Sequence, residues 1–166
     1  QGRLDQAEQA LQDSLRIDPY FAPAYINLAD LYRAQGREEQ SIRTLGQGTE
    51  RVPDNGDIVY AQGLALIRAK QYPQAVASFL KATELVPNNP QFHYVYALSQ
   101  QSSDPAGAQK AMRSAYELGG NPEHLYALCE MQVNARSFQA HQCLAELSKI
   151  APANVVQHLQ MRLRQP

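Results

Sequence analysis

Two histidines and two cysteines, His124, Cys129, His141 and Cys143, lie between residues 124 and 143, and imidazole and thiolate are the ligands that zinc prefers. Their spacing argues against a metal. His141 and Cys143 are two apart, so on a helix they face different directions, and no CxxC pair is present. A Cys–His nucleophile would need an oxyanion-binding loop, and none rich in glycine stands beside these residues. The chain has neither a phosphate-cradling glycine loop nor an evident carboxylate pair. Two cysteines are too few for a disulfide scaffold, so each reads best as a small buried hydrophobe. No catalytic residue, cofactor or metal site is expected.

Charge and hydropathy exclude further classes. Fifteen basic against 16 acidic side chains leave a net charge of −1, without the basic excess that nucleic-acid binding needs. No run approaches the roughly 18 apolar residues of a membrane span, and no basic segment precedes an apolar one as in a secretory leader. The visible chain reads as soluble, which fits a cytoplasmic or a periplasmic location equally.

The elements that would position any site are announced by proline. Pro19, Pro53 and Pro87 stand 34 residues apart, a period typical of stacked helical repeats. In the same phase, the small residues Ala7, Ser41 and Ala75 precede the large Leu11, Leu45 and Phe79 by four positions. Ser14, Gly48 and Ala82 follow three later. These are helical spacings, and the small side chains let a second helix approach closely.

Another helix-like run precedes each of the later two copies. In AYINLADLYRAQG, Tyr25, Leu28, Ala29 and Tyr32 follow the pattern W-x2-L-G-x2-Y, with Tyr for Trp and Ala for Gly. With these residues the chain resembles the tetratricopeptide repeat family of 34-residue helix–turn–helix units. Val59, Gln62, Gly63 and Leu66 match more weakly one period later, and Ala75, Phe79, Ala82 and Pro87 restore the register. Pro152 lies 65 residues beyond Pro87, three short of two periods, which implies a shortened fourth unit with a compressed turn near Ser102 to Asp104.

The expected fold is therefore all-α, a right-handed solenoid of tetratricopeptide-type repeats in a single domain, 1–166. Its parts are the second half of a truncated repeat (1–19), repeats at 20–53, 54–87, 88–120 and 121–152, and a terminal helix in 153–166. Helices are predicted over 3–17, 22–35, 38–51, 56–69, 73–86, 90–101, 105–118, 122–134, 138–150 and 154–164. Asp104-Pro105 and Asn121-Pro122 supply a cap before a proline at the first helical position, and Gly36 and Gly119-Gly120 suit helix exits. Gly2 falls where Gly36 falls one period later, so the sequence opens between the two helices of a repeat. This predicts a longer parent protein whose upstream part carries its main activity. It also leaves Leu4, Ala7, Leu11 and Leu15 uncovered by a first helix, open to self-association. MRLRQP at the other end reads as a polar cover.

The resemblance implies a function as well. In the family, first helices line a groove that binds partner peptides or proteins. Carried over, its groove positions are Ile26, Asn27, Asp30 and Arg33, then Tyr60, Leu64, Ile67 and Arg68, then Tyr94 and Leu98, then Leu125, Tyr126 and Cys129. Relatives that clamp acidic chaperone tails use Lys and Asn where this chain has Ile26 and Asp30, so such a clamp is not expected. The same apolar stripes could instead pack between repeats, making the chain a spacer or assembly module for an upstream enzymatic or redox domain. Exposure of Tyr60 and Tyr94 separates the two readings.

Overall fold

A computed structural model describes residues 2–164, which form ten α-helices and no strand among the described residues. The chain divides into two compact units between Pro87 and Asn88. The first contains α1 (Gly2–Ile17), α2 (Ala22–Ala34), α3 (Glu38–Arg51), α4 (Gly56–Arg68) and α5 (Tyr72–Leu85). The second contains α6 (Pro90–Gln100), α7 (Pro105–Gly119), α8 (Pro122–Asn134), α9 (Ala140–Leu147) and α10 (Ala153–Arg164). Helices pair as hairpins, α2 with α3, α4 with α5, α6 with α7 and α8 with α9.

Side chains at the helix starts explain four of these boundaries. The Oδ1 atoms of Asn55, Asn89, Asp104 and Asn121 accept from the amides of Ile58, Gln91, Gly107 and Glu123 at 2.9–3.0 Å. Pro90, Pro105 and Pro122 then occupy first positions, where no intrahelical amide bond is lost. The turn inside a hairpin is equally stereotyped. Gly36, Lys70 and Arg136 all adopt positive φ, at 73°, 59° and 49°. The amide that follows each of them, on Arg37, Gln71 and Ser137, bonds back to the carbonyl of Tyr32, Leu66 or Gln132 at 2.8–2.9 Å. Such a turn needs a left-handed residue, which glycine adopts freely and lysine or arginine only at a cost.

Small-against-large packing joins helices within and between the hairpins. Phe79 of α5 is fully buried against Gly63 of α4. Gly48 of α3 lets Tyr25 and Ile58 approach to about 3.1 Å of where a β-carbon would sit. Burial pushes the Tyr25 phenol up, and its hydroxyl donates to the Pro19 carbonyl at 2.9 Å. In the second unit Met112, Leu125, Leu128, Leu147 and Leu159 form the fully buried centre.

The two outer helices behave differently. α1 buries no residue: Leu4 and Ala7 are exposed, while Leu11 and Leu15 are half-buried. Polar contacts tie it down, with Glu8 receiving Arg37 Nη1 at 2.6 Å and the Tyr32 hydroxyl at 3.1 Å. The Arg37 guanidinium also lies 4.3 Å from the Tyr32 ring centroid. α10 packs on α8 and α9 through Val156 and Leu159, and Arg162 reaches Glu130 at 2.7 Å.

Two expectations need correction. Helix α9 runs only from Ala140 to Leu147, not over 138–150, because turns occupy 138–139 and 148–150. Cys129 and Cys143 are not separate buried thiols. They form a disulfide between α8 and α9, with Cα atoms 5.4 Å apart.

Candidate partner-binding surface

Within the first unit, α2 and α4 each present one face at four-residue spacing, Ile26 with Asp30 and Tyr60 with Leu64 and Arg68. These five side chains line one cavity of about 240 Å³, whose floor includes Ala29, Ser41 and Leu45. Ser41 is 1% exposed and its hydroxyl has no hydrogen-bond partner among the described residues. Tyr60 is half-buried, with its ring 5.8 Å from the Phe79 ring, so its position is fixed from behind. The cavity can therefore take an apolar side chain and offers a hydroxyl at its base and charge at its rim.

Two of the rim charges are already engaged, and Asp57 is a third charged residue of the lining. Arg68 Nε contacts Glu38 Oε1 at 2.9 Å, and Arg33 Nε contacts Asp30 Oδ1 at 3.1 Å. A partner carboxylate would have to displace Glu38 to claim Arg68. Sequence reasoning missed this pairing because Glu38 and Arg68 stand 30 residues apart, on different hairpins. The other expected groove positions of the same two helices lie outside the cavity: Asn27 and Arg33 are exposed and Ile67 is half-buried.

In the second unit the expected surface is thinner. Tyr94 is half-buried, stacked on the His124 ring at a centroid distance of 4.7 Å, and Leu98 is 43% exposed. Tyr126 is half-buried and packs against the core. Leu125 is fully buried and Cys129 is consumed by the disulfide, so neither presents a surface to a partner. Leu125 and Cys129 belong to the same core cluster as residues of α7, α9 and α10, among them Met112, Leu144 and Leu159. Among the described residues no group of three or more His, Cys, Asp or Glu side chains is placed to hold a metal ion.

The disulfide did have a signal in the sequence. Cys129 and Cys143 are each seven residues from Arg136, the centre of the α8–α9 turn, and an antiparallel hairpin brings such equidistant positions together.

Residues 1–67 match the tetratricopeptide repeat family. The fold of YrrB, described as a TPR protein with an unusual peptide-binding site, superposes with a TM-score of 0.74 at 18% identity, over 96% of this chain and 84% of that one. Residues 1–67 thus carry tetratricopeptide repeats, and the chain shares the all-helical repeat fold of such proteins. The same repeat fold is shared with MamA, at a TM-score of 0.73, 15% identity and coverage of 97% and 91%. PilF of Pseudomonas aeruginosa has a TM-score of 0.73 at 21% identity, with coverage of 98% and 76%. In sequence the chain is 34% identical over 116 residues to the human protein O-mannosyl-transferase TMTC3. That alignment takes in 68% of this chain, which spans only 12% of the transferase. Tetratricopeptide repeats generally mediate protein interactions and are generally non-catalytic. No helix among the described residues is long and apolar enough to cross a membrane.

Proposed function

We propose that this tetratricopeptide-repeat chain is a non-catalytic binding module that takes a partner peptide or protein in the groove of its first unit. The observation that carries the proposal is the convergence of Ile26, Asp30, Tyr60, Leu64 and Arg68 on one cavity. Tyr60 is held by Phe79, so an incoming apolar side chain meets a preformed wall. A peptide-binding site on the same fold in YrrB supports the reading. Repeats at 20–53 and 54–87 supply the two first helices of this groove.

Calorimetric titration tests the proposal, using a partner peptide first captured on the intact chain. A Tyr60→Ala, Leu64→Ala double variant should lose most of the affinity while its circular dichroism stays that of the parent. Undiminished binding by that variant would return the chain to the spacer or assembly reading.

A further inference from the structure

The α8–α9 hairpin differs from the other three. Their second helices, α3, α5 and α7, run for 14, 14 and 15 residues, while α9 has only eight. A helix that short has little cooperative stability of its own. Local chemistry adds nothing to it. Gln139, just before it, makes no capping hydrogen bond, its first turn carries no acidic residue and its last turn no basic one. The turn that leads into it holds Arg136 at a φ of 49°, where the corresponding turn between α2 and α3 has Gly36. Against these deficits α9 buries Ala140, Leu144 and Leu147, and Cys143 bonds it covalently to Cys129 of α8.

Helix α10 rests on this arrangement. It packs on α8 and α9, with Val156 and Leu159 in the core cluster that holds both cysteines. The bridge therefore bears on both terminal helices of the unit. Cys129 and Cys143 are sealed in that cluster, at 0% and 1% exposure, although Cys143 borders an open groove between α7 and α9. Thiol–disulfide exchange needs an incoming thiolate to reach a bridge sulfur. The folded hairpin shields the bond, and reduction must wait for the hairpin to open.

We infer that the second unit is built to mature in an oxidising compartment, and that the Cys129–Cys143 bond is the condition on which α9 and α10 close over α8. Disulfides form and persist in secretory and periplasmic spaces, and the reducing cytosol keeps thiols free. The bond forms by two exchanges with an oxidised dithiol, the class of donor that such spaces supply. The thiolate of one cysteine attacks the donor's disulfide, which forms a mixed disulfide and releases one donor thiolate. The thiolate of the other cysteine attacks the chain's own sulfur in that mixed disulfide, which closes the bridge and releases the second donor thiolate. Two electrons pass to the donor, and its two thiolates take up the two protons that the cysteines lost. In a reducing compartment the reverse exchange prevails, and the end of the unit stays loose with its apolar faces uncovered. This inference is independent of the first-unit groove.

The test produces the full chain twice in one bacterium, once exported to the periplasm and once retained in the cytosol. Alkylation in acid-quenched cells, read by mass spectrometry, should find no reactive thiol in the exported chain and both thiols reactive in the retained one. Hydrogen exchange then compares the exported chain with the retained chain kept under reductant. Protection across α9 and α10 should be lower in the reduced chain by about a hundredfold, the effect of opening a loop of this length, with α2 to α5 unchanged. Cys129→Ser with Cys143→Ser should match the reduced chain from either compartment. If that variant cannot be recovered, the exported chain unfolded in urea, reduced and refolded under reductant takes its place. A retained chain that already carries the bridge, or a reduced chain as protected in α9 and α10 as the bridged one, overturns the inference.

Discussion

Gly63 and Phe79 are matched as hole and knob: a β-carbon at position 63 would lie 2.6 Å from Phe79 Cε1, closer than two carbon atoms can approach. Phe79 is fully buried there and backs the ring of Tyr60, so the same contact that joins α4 to α5 also sets the wall of the first-unit cavity. Phe79→Ala should cost about 3–5 kcal/mol through lost burial and the cavity left behind. Gly63→Ala should cost about 1–3 kcal/mol through overpacking. Urea denaturation checks both, and an unchanged midpoint for Phe79→Ala would show that the α4–α5 contact does not stabilise the unit.

The hairpin turns make a prediction in the opposite direction. Lys70 holds φ at 59° where its counterpart Gly36 holds 73°, and the turn's hydrogen bonds are the same. Lys70→Gly removes a left-handed strain of about 1–2 kcal/mol and concedes part of it to unfolded-chain entropy. The net expectation is a gain of about 0.5–1 kcal/mol, read as a higher midpoint of thermal unfolding.

Acid should release α1 first. The Arg37 guanidinium, hydrogen-bonded to Glu8, holds that carboxyl below the ordinary value of 4.5 against the opposing effect of burial. Because the folded value is depressed, the contribution is complete above the ordinary carboxylate range and is lost as pH falls through the folded value. Hydrogen exchange across α1 should therefore accelerate below about pH 4.5 before the rest of the unit responds. Glu8→Gln should leave exchange in α1 fast, with a much weaker pH dependence across that range.

The bridge between α8 and α9 closes a 14-residue separation, for which chain entropy predicts about 3 kcal/mol. Cys129→Ala with Cys143→Ala, or a reductant during unfolding, should lower the stability of the second unit by about 2–3 kcal/mol. Mass spectrometry of the alkylated chain checks the premise: no free thiol should react before reduction.

What the sequence revealed depended on how local the determinant was. Asn121-Pro122 and Asp104-Pro105 mark their helix starts within three residues, and α7 and α8 begin where those pairs predict. Gly36 and Gly120 likewise adopt the positive φ expected of helix exits. Non-local determinants escaped. Leu125 occupies a groove position by repeat number, yet it is fully buried in a core cluster to which α7, α9 and α10 all contribute. Gln132 is a second such case: a glutamine near a helix end usually faces water, and only packing buries this one. That Ile26 and Asp30 share a cavity with Tyr60 and Leu64 follows from the fixed period of their two helices, since residues 34 apart fall on equivalent faces.

That groove yields the last prediction, and the pairing of Arg68 decides its form. An aromatic or aliphatic anchor in a largely desolvated pocket carries a disproportionate share of binding energy, so Tyr60→Ala should weaken a captured peptide by about 1–3 kcal/mol. Arg68 is exposed and already held by Glu38 at 2.9 Å, so a partner gains from it only what exceeds that pair. Arg68→Ala should therefore cost less than Tyr60→Ala, about 0–1 kcal/mol, and less still as salt rises and screens the rim. Glu38→Gln supplies the converse. If the partner presents a carboxylate, freeing Arg68 should tighten binding; if it presents only apolar groups, affinity should not move. Titrations of the three variants at low and high salt read these differences directly. Equal losses for Arg68→Ala and Tyr60→Ala would mean that charge, and not the apolar wall backed by Phe79, anchors the partner.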